Sequence, residues 1–157
     1  MDDLEAKKKV EAKGPEEVLG RGPAVGIGTS NKTIDAYIAE LKSKGIKVVV
    51  DVRGRPQSQW FPHFNQKAME ASLAQAGIQY IWLGETLGNP KDKKGERTLE
   101  GFKRYMDTKS YEEGIASLIE IVKANPDAVA ITCSEGAQSG CHRQFILEDL
   151  SKRMGKK

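Results

Sequence analysis

Apolar residues along this chain fall into two rhythms that take turns. PAVGIG at 23–28 is a short apolar run and reads as a first strand. Next, Ile34, Tyr37, Ile38 and Leu41 recur at the spacing of one helix face, and Gly45 is placed to end that helix. IKVVVDV at 46–52 is a continuous β-branched run, the pattern of a strand covered on both faces in a parallel sheet. NQKAMEASLAQAG at 65–77 returns to helical spacing, with Asn65 as N-cap and Gly77 as stop. IQYIWLG at 78–84 is a third strand, and ETLGNPKDKKGER at 85–97 reads as a long polar loop. Two helical patterns follow near 98–107 and 110–124, the second opening on Ser110 and Glu113 at the spacing of a capping box. DAVAITC at 127–133 is a fourth strand, and a last helix starts near Gly140 to Arg143.

Strands alternating with helices predict an α/β fold: a mainly parallel sheet, flanking helices, right-handed crossovers and a pocket at the carboxyl ends of the strands. The pattern places one domain over 23–157 and leaves 1–22 as a charged arm of Lys and Glu with little apolar content. At 157 residues the chain is long enough for one core. Charged residues make up 30% and hydrophobic ones 38%, a soluble globular balance. The net charge of +3 permits a polyanionic partner without demanding one. No apolar run approaches the ~18 residues of a membrane span. MDDLEAKKKVEAKG lacks the apolar stretch of a secretory signal, so the expected place is the cytoplasm, with both thiols reduced.

The chemically distinctive residues collect where strands end. Thr29 and Ser30 follow the first strand, Asp51, Arg53 and Arg55 the second, and Trp60, Phe61, His63, Phe64 and Asn65 continue from there. Glu85 follows the third strand, and CSEGAQSGCHR at 133–143 follows the fourth. The opposite connections, SKGIK, AQAGIQ and KANPDA, are bland. In an open parallel sheet the carboxyl ends share one edge, where ligand crevices form.

The segment 133–143 holds both cysteines and one of the two histidines. Zinc could take Cys133, Cys141, His142 and His63, but C-x7-C-H is not a closed-site spacing. A resolving redox pair favours the tighter C-x-x-C. The phosphatase loop C-x5-R fails, since Ser139 stands where its arginine would. An anion grip fits better: Gly136 and Gly140 let the loop fold tightly, Ser139 and Cys141 lie near a helix start, and His142 and Arg143 supply donors or charge. Asp51 is either an ion-pair partner of Arg53 or Arg143 or a functional carboxylate. Lys91, Lys93, Lys94 and Arg97 form a basic loop near the same edge, and Lys152, Arg153, Lys156 and Lys157 a basic tail.

The blocks IGTSNKTIDAYIAELKSKGIKVVVDVRGRPQSQWFPHFN, GIQYIWLGETLGN, FKRYMDT and CSEGAQSGCHR, taken in order, resemble the family called domain of unknown function 488, over roughly 24–152. Asn89 stands where a second glycine is common. The resemblance implies an α/β fold with a pocket built from these loops, in which Asp51, Arg53, His63, Asn65, Glu85, Cys133, Glu135, Cys141, His142 and Arg143 are pocket residues. Some archaeal members look like DNA glycosylases that remove oxidised pyrimidines such as hydroxyuracil. The expected function is therefore a monofunctional glycosylase, with DNA as partner and no metal or organic cofactor required. Asp51 is the first choice for the water-activating carboxylate, before Glu135 and Glu85. Trp60 and Phe61 would stack on a flipped base, His63 and Asn65 would read its polar edge, and Arg53, Arg55 and Arg143 would hold phosphates. The competing classes are an enzyme on a free nucleotide or nucleoside, a non-catalytic nucleic-acid module, and a thiol or zinc enzyme.

Overall fold

The computed structural model describes residues 22–29, 32–54, 56, 61–90, 93–95, 98–133 and 142–155. Residues 1–21 of the expected arm, and with them Ser30, Arg55, Trp60, Lys91, Arg97, Glu135, Ser139, Cys141, Lys156 and Lys157, lie outside the described residues.

The elements are β1 (Val25–Gly28), α1 (Ile34–Ser43), β2 (Val48–Asp51), a 3₁₀ turn (Pro62–Phe64), α2 (Gln66–Gln75), β3 (Gln79–Trp82), α3 (Gly84–Leu87), α4 (Leu99–Tyr105), α5 (Lys109–Ala124), β4 (Val129–Cys133) and α6 (Arg143–Arg153). The four strands form one all-parallel sheet in the order β1-β4-β2-β3. The apolar run of β2 is explained by this order: as an interior strand it is buried at every position, like β4 beside it.

Local signals act where their chemistry requires. Thr33 caps α1, its side chain accepting from the Ala36 N–H at 3.0 Å. Gly45 and Gly77, just past α1 and α2, take φ of +71° and +80°, which terminates those helices. Two expectations need correction. Gly84, expected to end the third strand, and residues 85–87, expected to open a polar loop, form a short helix, because Leu83 and Leu87 carry apolar surface and Leu87 is buried. The cap of α5 is Thr108, whose hydroxyl accepts from the Tyr111 N–H at 3.2 Å; Ser110 sits inside the first turn.

The core has two halves, one on each face of the sheet. Tyr37 and Leu41 of α1 and Met69 and Leu73 of α2 pack with Ile27, Val49 and Ala130 on one face. Leu87, Phe102, Tyr111, Ile115, Leu118, Ile146 and Leu150, from α3 to α6, pack with Val48, Val50 and Ile131 on the other. The chain therefore leaves β1 and β2 towards one face and β3 and β4 towards the opposite one. Since β4 lies between β1 and β2, its carboxyl end is flanked on both sides by strands whose connections diverge from its own. In open α/β sheets such a switch point opens a crevice beyond the strand ends.

Among the described residues no helix is long and apolar enough to cross a membrane.

Candidate functional site at the carboxyl edge of β4

Strand alternation decides which layer each residue at the strand ends meets. In β2, Val49 and Asp51 face α1 and α2, while Val48 and Val50 face the other layer. Asp51 is fully buried, and its carboxylate is enclosed by donors. Arg53 grips it with Nε to Oδ1 at 2.9 Å and Nη2 to Oδ2 at 2.7 Å, and the Arg53 backbone N–H adds 3.0 Å to Oδ1. The Tyr80 hydroxyl donates to Oδ2 at 2.5 Å. Two donors on each oxygen satisfy the carboxylate in full. Of the two readings of Asp51, the geometry therefore favours the ion-pair partner, and the pairing is with Arg53.

Burial would depress the arginine, but the hydrogen bond and charge of Asp51 outweigh it and hold Arg53 above its ordinary value. Burial and the adjacent carboxylate likewise keep the Tyr80 phenol protonated. Next to this group, the buried Tyr37 hydroxyl donates to Thr132 Oγ1 at 2.9 Å, and Thr132 in turn donates to the Ile27 carbonyl at 2.6 Å. α1, β4 and β1 are thus joined, beside the Asp51–Arg53 pair of β2, by buried polar groups with partners, which a low-dielectric interior demands.

The remaining sequence-predicted residues divide into groups. Thr29 is buried and extends the β1–β4 ladder, its N–H 3.0 Å from the Cys133 carbonyl. His63 is half-buried, with Nε2 2.8 Å from the Lys32 carbonyl. A carbonyl only accepts, so Nε2 carries the proton. Lys32 is held in place by the Gly28 carbonyl and the Glu40 carboxylate, each at 2.8 Å. Phe61 lies against His63, and Asn65 caps α2 without a side-chain cap bond. Glu85 is exposed in the first turn of α3. Arg143 opens α6, where its side chain occupies the space left by the missing Cβ of Gly26.

His142, expected to offer a donor to an anion, instead faces inward. It is buried, its Nε2 lies 3.1 Å from the Val52 carbonyl, and its ring packs 4.7 Å from that of Phe102. Burial dominates its titration and lowers it to about 4, against the pull of the Val52 and Leu87 carbonyls and with a small push from Arg143. Cys133 is disulfide-bonded at the end of β4, not the free thiol that composition predicts. The histidines and Cys133 weighed as zinc ligands thus all have other partners. Arg153, expected in a free basic tail, is paired with Glu112 at 2.7 Å and with Asp149 at 2.9 Å. It closes α6 next to Met154, which shares a cavity of about 160 Å³ with Pro126 and Asp127 ahead of β4. That is the amino edge of the sheet, away from the crevice.

Sequence reading missed Tyr80 and Trp82. Both lie on the face of β3 that meets Asp51, and Trp82 Nε1 donates to the Arg53 carbonyl at 2.7 Å. The alternation Tyr-Ile-Trp beside a strand ending in aspartate was the available signal. The two glycines of LGETLG prove to be contact points. A Cβ on Gly84 would overlap the Arg53 carbonyl, and one on Gly88 would overlap Gly54. They let α3 lie directly against the segment that follows β2.

The profile described as Domain of unknown function DUF488 matches residues 33–150. Among curated proteins nothing matches the chain. A crystal structure from Shewanella putrefaciens CN-32, presented as a candidate phosphatase (DUF442), is similar at 12% identity and a TM-score of 0.47, over 92% of this chain and 76% of that one.

Proposed function

The chain belongs to the DUF488 family, and from that premise we propose that it is a DNA glycosylase hydrolysing the N-glycosidic bond of an oxidised pyrimidine held in the crevice at β4. One observation carries the placement: the connections diverge on both sides of β4, and Thr29, Asp51, Arg53 and Arg143 stand at the strand and helix ends around it. The chemistry rests on the resemblance of the strand-end blocks to family members that look like glycosylases. Such an enzyme needs a cleft for a flipped base and a carboxylate free to activate water and stabilise an oxocarbenium-like sugar.

Asp51 has no acceptor position left for a water molecule, so this reading gives it the role of holding Arg53. The water-activating carboxylate is then Glu85, exposed at the start of α3, or Glu135, outside the described residues. Arg143, half-buried at the head of α6, is the candidate for a flanking phosphate.

The test is a strand-cleavage assay. Labelled oligonucleotides, each with one damaged base, are incubated with the protein and treated with alkali, which breaks abasic sites. Breaks at an oxidised pyrimidine, lost in Glu85→Gln or Glu135→Gln, are the expected result. A well-folded protein that yields no breaks on any lesion would remove the reading and favour an enzyme on free nucleotides.

A further inference from the structure

β3 closes the sheet at one end, and among the described residues β2 is the strand beside it. Its place in the ladder fixes where its backbone points. The N–H groups of Gln79 and Leu83 donate to the Lys47 and Asp51 carbonyls at 2.9 Å each. By alternation the N–H and C=O groups of Tyr80 and Trp82 point away from β2, to the outer edge. No residue of QYIW is fully buried, whereas β2 is buried throughout. Sheet edges are ordinarily guarded against further pairing by charge, proline or a bulge. QYIW has no charge and no proline, stays in register with β2 along its length, and Tyr, Ile and Trp are strong strand formers. β1, at the other end of the sheet, is a poorer template because VGIG carries two glycines.

α2 packs over the same end, with Met69 and Leu73 in one cluster with Val49 of β2 and Tyr80 of β3. At about 100° per residue, Ser72 and Ala76 fall on one side of that buried stripe, and Lys67, Glu70 and Ala74 on the other. Ser72 and Ala76 are half-buried, while Lys67, Glu70 and Ala74 are exposed. A right-handed crossover from β2 to β3 turns the exposed side out over the β3 edge. We propose that this edge is the docking surface for a second copy of the chain: β3 pairs antiparallel with its counterpart about a two-fold axis through Ile81. Tyr80 then lies opposite the partner's Trp82, each such pair exchanging both backbone hydrogen bonds. With strands roughly 4.8 Å apart on either side of the axis, the two copies of α2 come roughly 10 Å apart, the spacing of packed helices. They run antiparallel, which sets Lys67 of each copy against the partner's Glu70. This charge complementarity, with an edge that matches itself, is what selects a second copy. The strands of the two copies point in opposite directions, so the two crevices lie at opposite ends of the joined sheet.

Sedimentation equilibrium of the full chain measures the association. A particle with twice the mass of one chain, dissociating on dilution, is expected. Lys67→Glu and Glu70→Lys each set like charges against each other at both symmetric positions. Each is expected to raise the dissociation constant roughly 10-fold, and the chain carrying both changes returns to the original value. Amide exchange locates the surface. The Tyr80 and Trp82 amides are expected to slow as concentration rises, while those of Gly26 and Gly28, which face outward on β1, stay the same. A monomer at every concentration, which would leave the edge to a strand of some other protein, would overturn the proposal. So would an assembly that grows beyond two chains, Tyr80 and Trp82 exchange that ignores concentration, or charge reversals that leave the dimer unchanged or are not restored in combination. No readout involves DNA, so the result stands apart from that of the cleavage assay.

Discussion

The Nε2 of His142 lies 3.1 Å from the carbonyl oxygen of Val52, so the residue that precedes α6 is fastened to the end of β2 across the switch point. Strand and helix belong to neighbouring elements whose connections run to opposite faces, and a neutral imidazole spans the gap between them.

That imidazole makes stability depend on pH. Its folded value of about 4 lies below the ordinary 6.5, so the unfolded chain takes up the proton first as pH falls. The contribution is complete above pH 6.5, declines towards pH 4, and amounts to about 3 kcal/mol in full. Urea midpoints measured from pH 7.5 to 4 are expected to drop across this window, and His142→Gln is expected to flatten the drop. An unchanged profile in the variant would place the titration elsewhere.

Asp51→Asn leaves Arg53 buried without its counter-charge. A loss of about 3–5 kcal/mol is expected, because the amide keeps one accepting oxygen and its NH2 group replaces the other, facing donors that had an acceptor. Tyr80→Phe removes a single donor to the same carboxylate and is expected to cost about 1.5–3 kcal/mol. The two changes share a partner, so a double variant should fall short of their sum. Chemical denaturation of the four proteins measures both the sizes and the shortfall.

Gly84→Ala is expected to destabilise by about 3 kcal/mol or more, since the added methyl meets the backbone carbonyl of Arg53 and the Trp82 indole, neither free to retreat. Gly95→Ala, at an exposed glycine with open space around the new Cβ but φ of +82°, should cost about 1 kcal/mol through backbone strain alone. Thermal melts that rank the two variants the other way would contradict the packing described for α3.

Thr108→Ala is expected to cost about 1 kcal/mol, and Ser110→Ala much less, because only Thr108 accepts from a free N–H at the start of α5. Equal losses in thermal melts would return the cap to Ser110.

The strands and most of the helices were legible because burial imposes its own spelling: VVVD in β2 and VAITC in β4 are apolar because both faces are covered. The convergence of polar residues on one edge was legible too, since parallel strands put their carboxyl ends together. The partner choices were not. Asp51 is two residues from Arg53, and that nearness reads equally well as a catalytic pair or an ion pair until Tyr80 arrives from a strand 29 residues away. His142 likewise reads as a donor for an anion, and only the order β1-β4-β2 brings the Val52 carbonyl to it. Ser110 and Glu113 match a capping spacing by composition, whereas the geometry of the turn after α4 gives the cap to Thr108.

The sheet order has a consequence for how the chain acquires its shape. Val25 pairs with Ala130, so β1 has no strand to join until β4 has been made. β2, α2 and β3 are contiguous and can associate early, but β1 waits for contacts between distant parts of the chain, which are slow to form. A nascent chain halted before Val129 should leave β1 and α1 open to proteases while β2–α2–β3 is already protected. The crevice at β4 would then be the last part of the molecule to come into being, assembled only when the ribosome has passed its final strand.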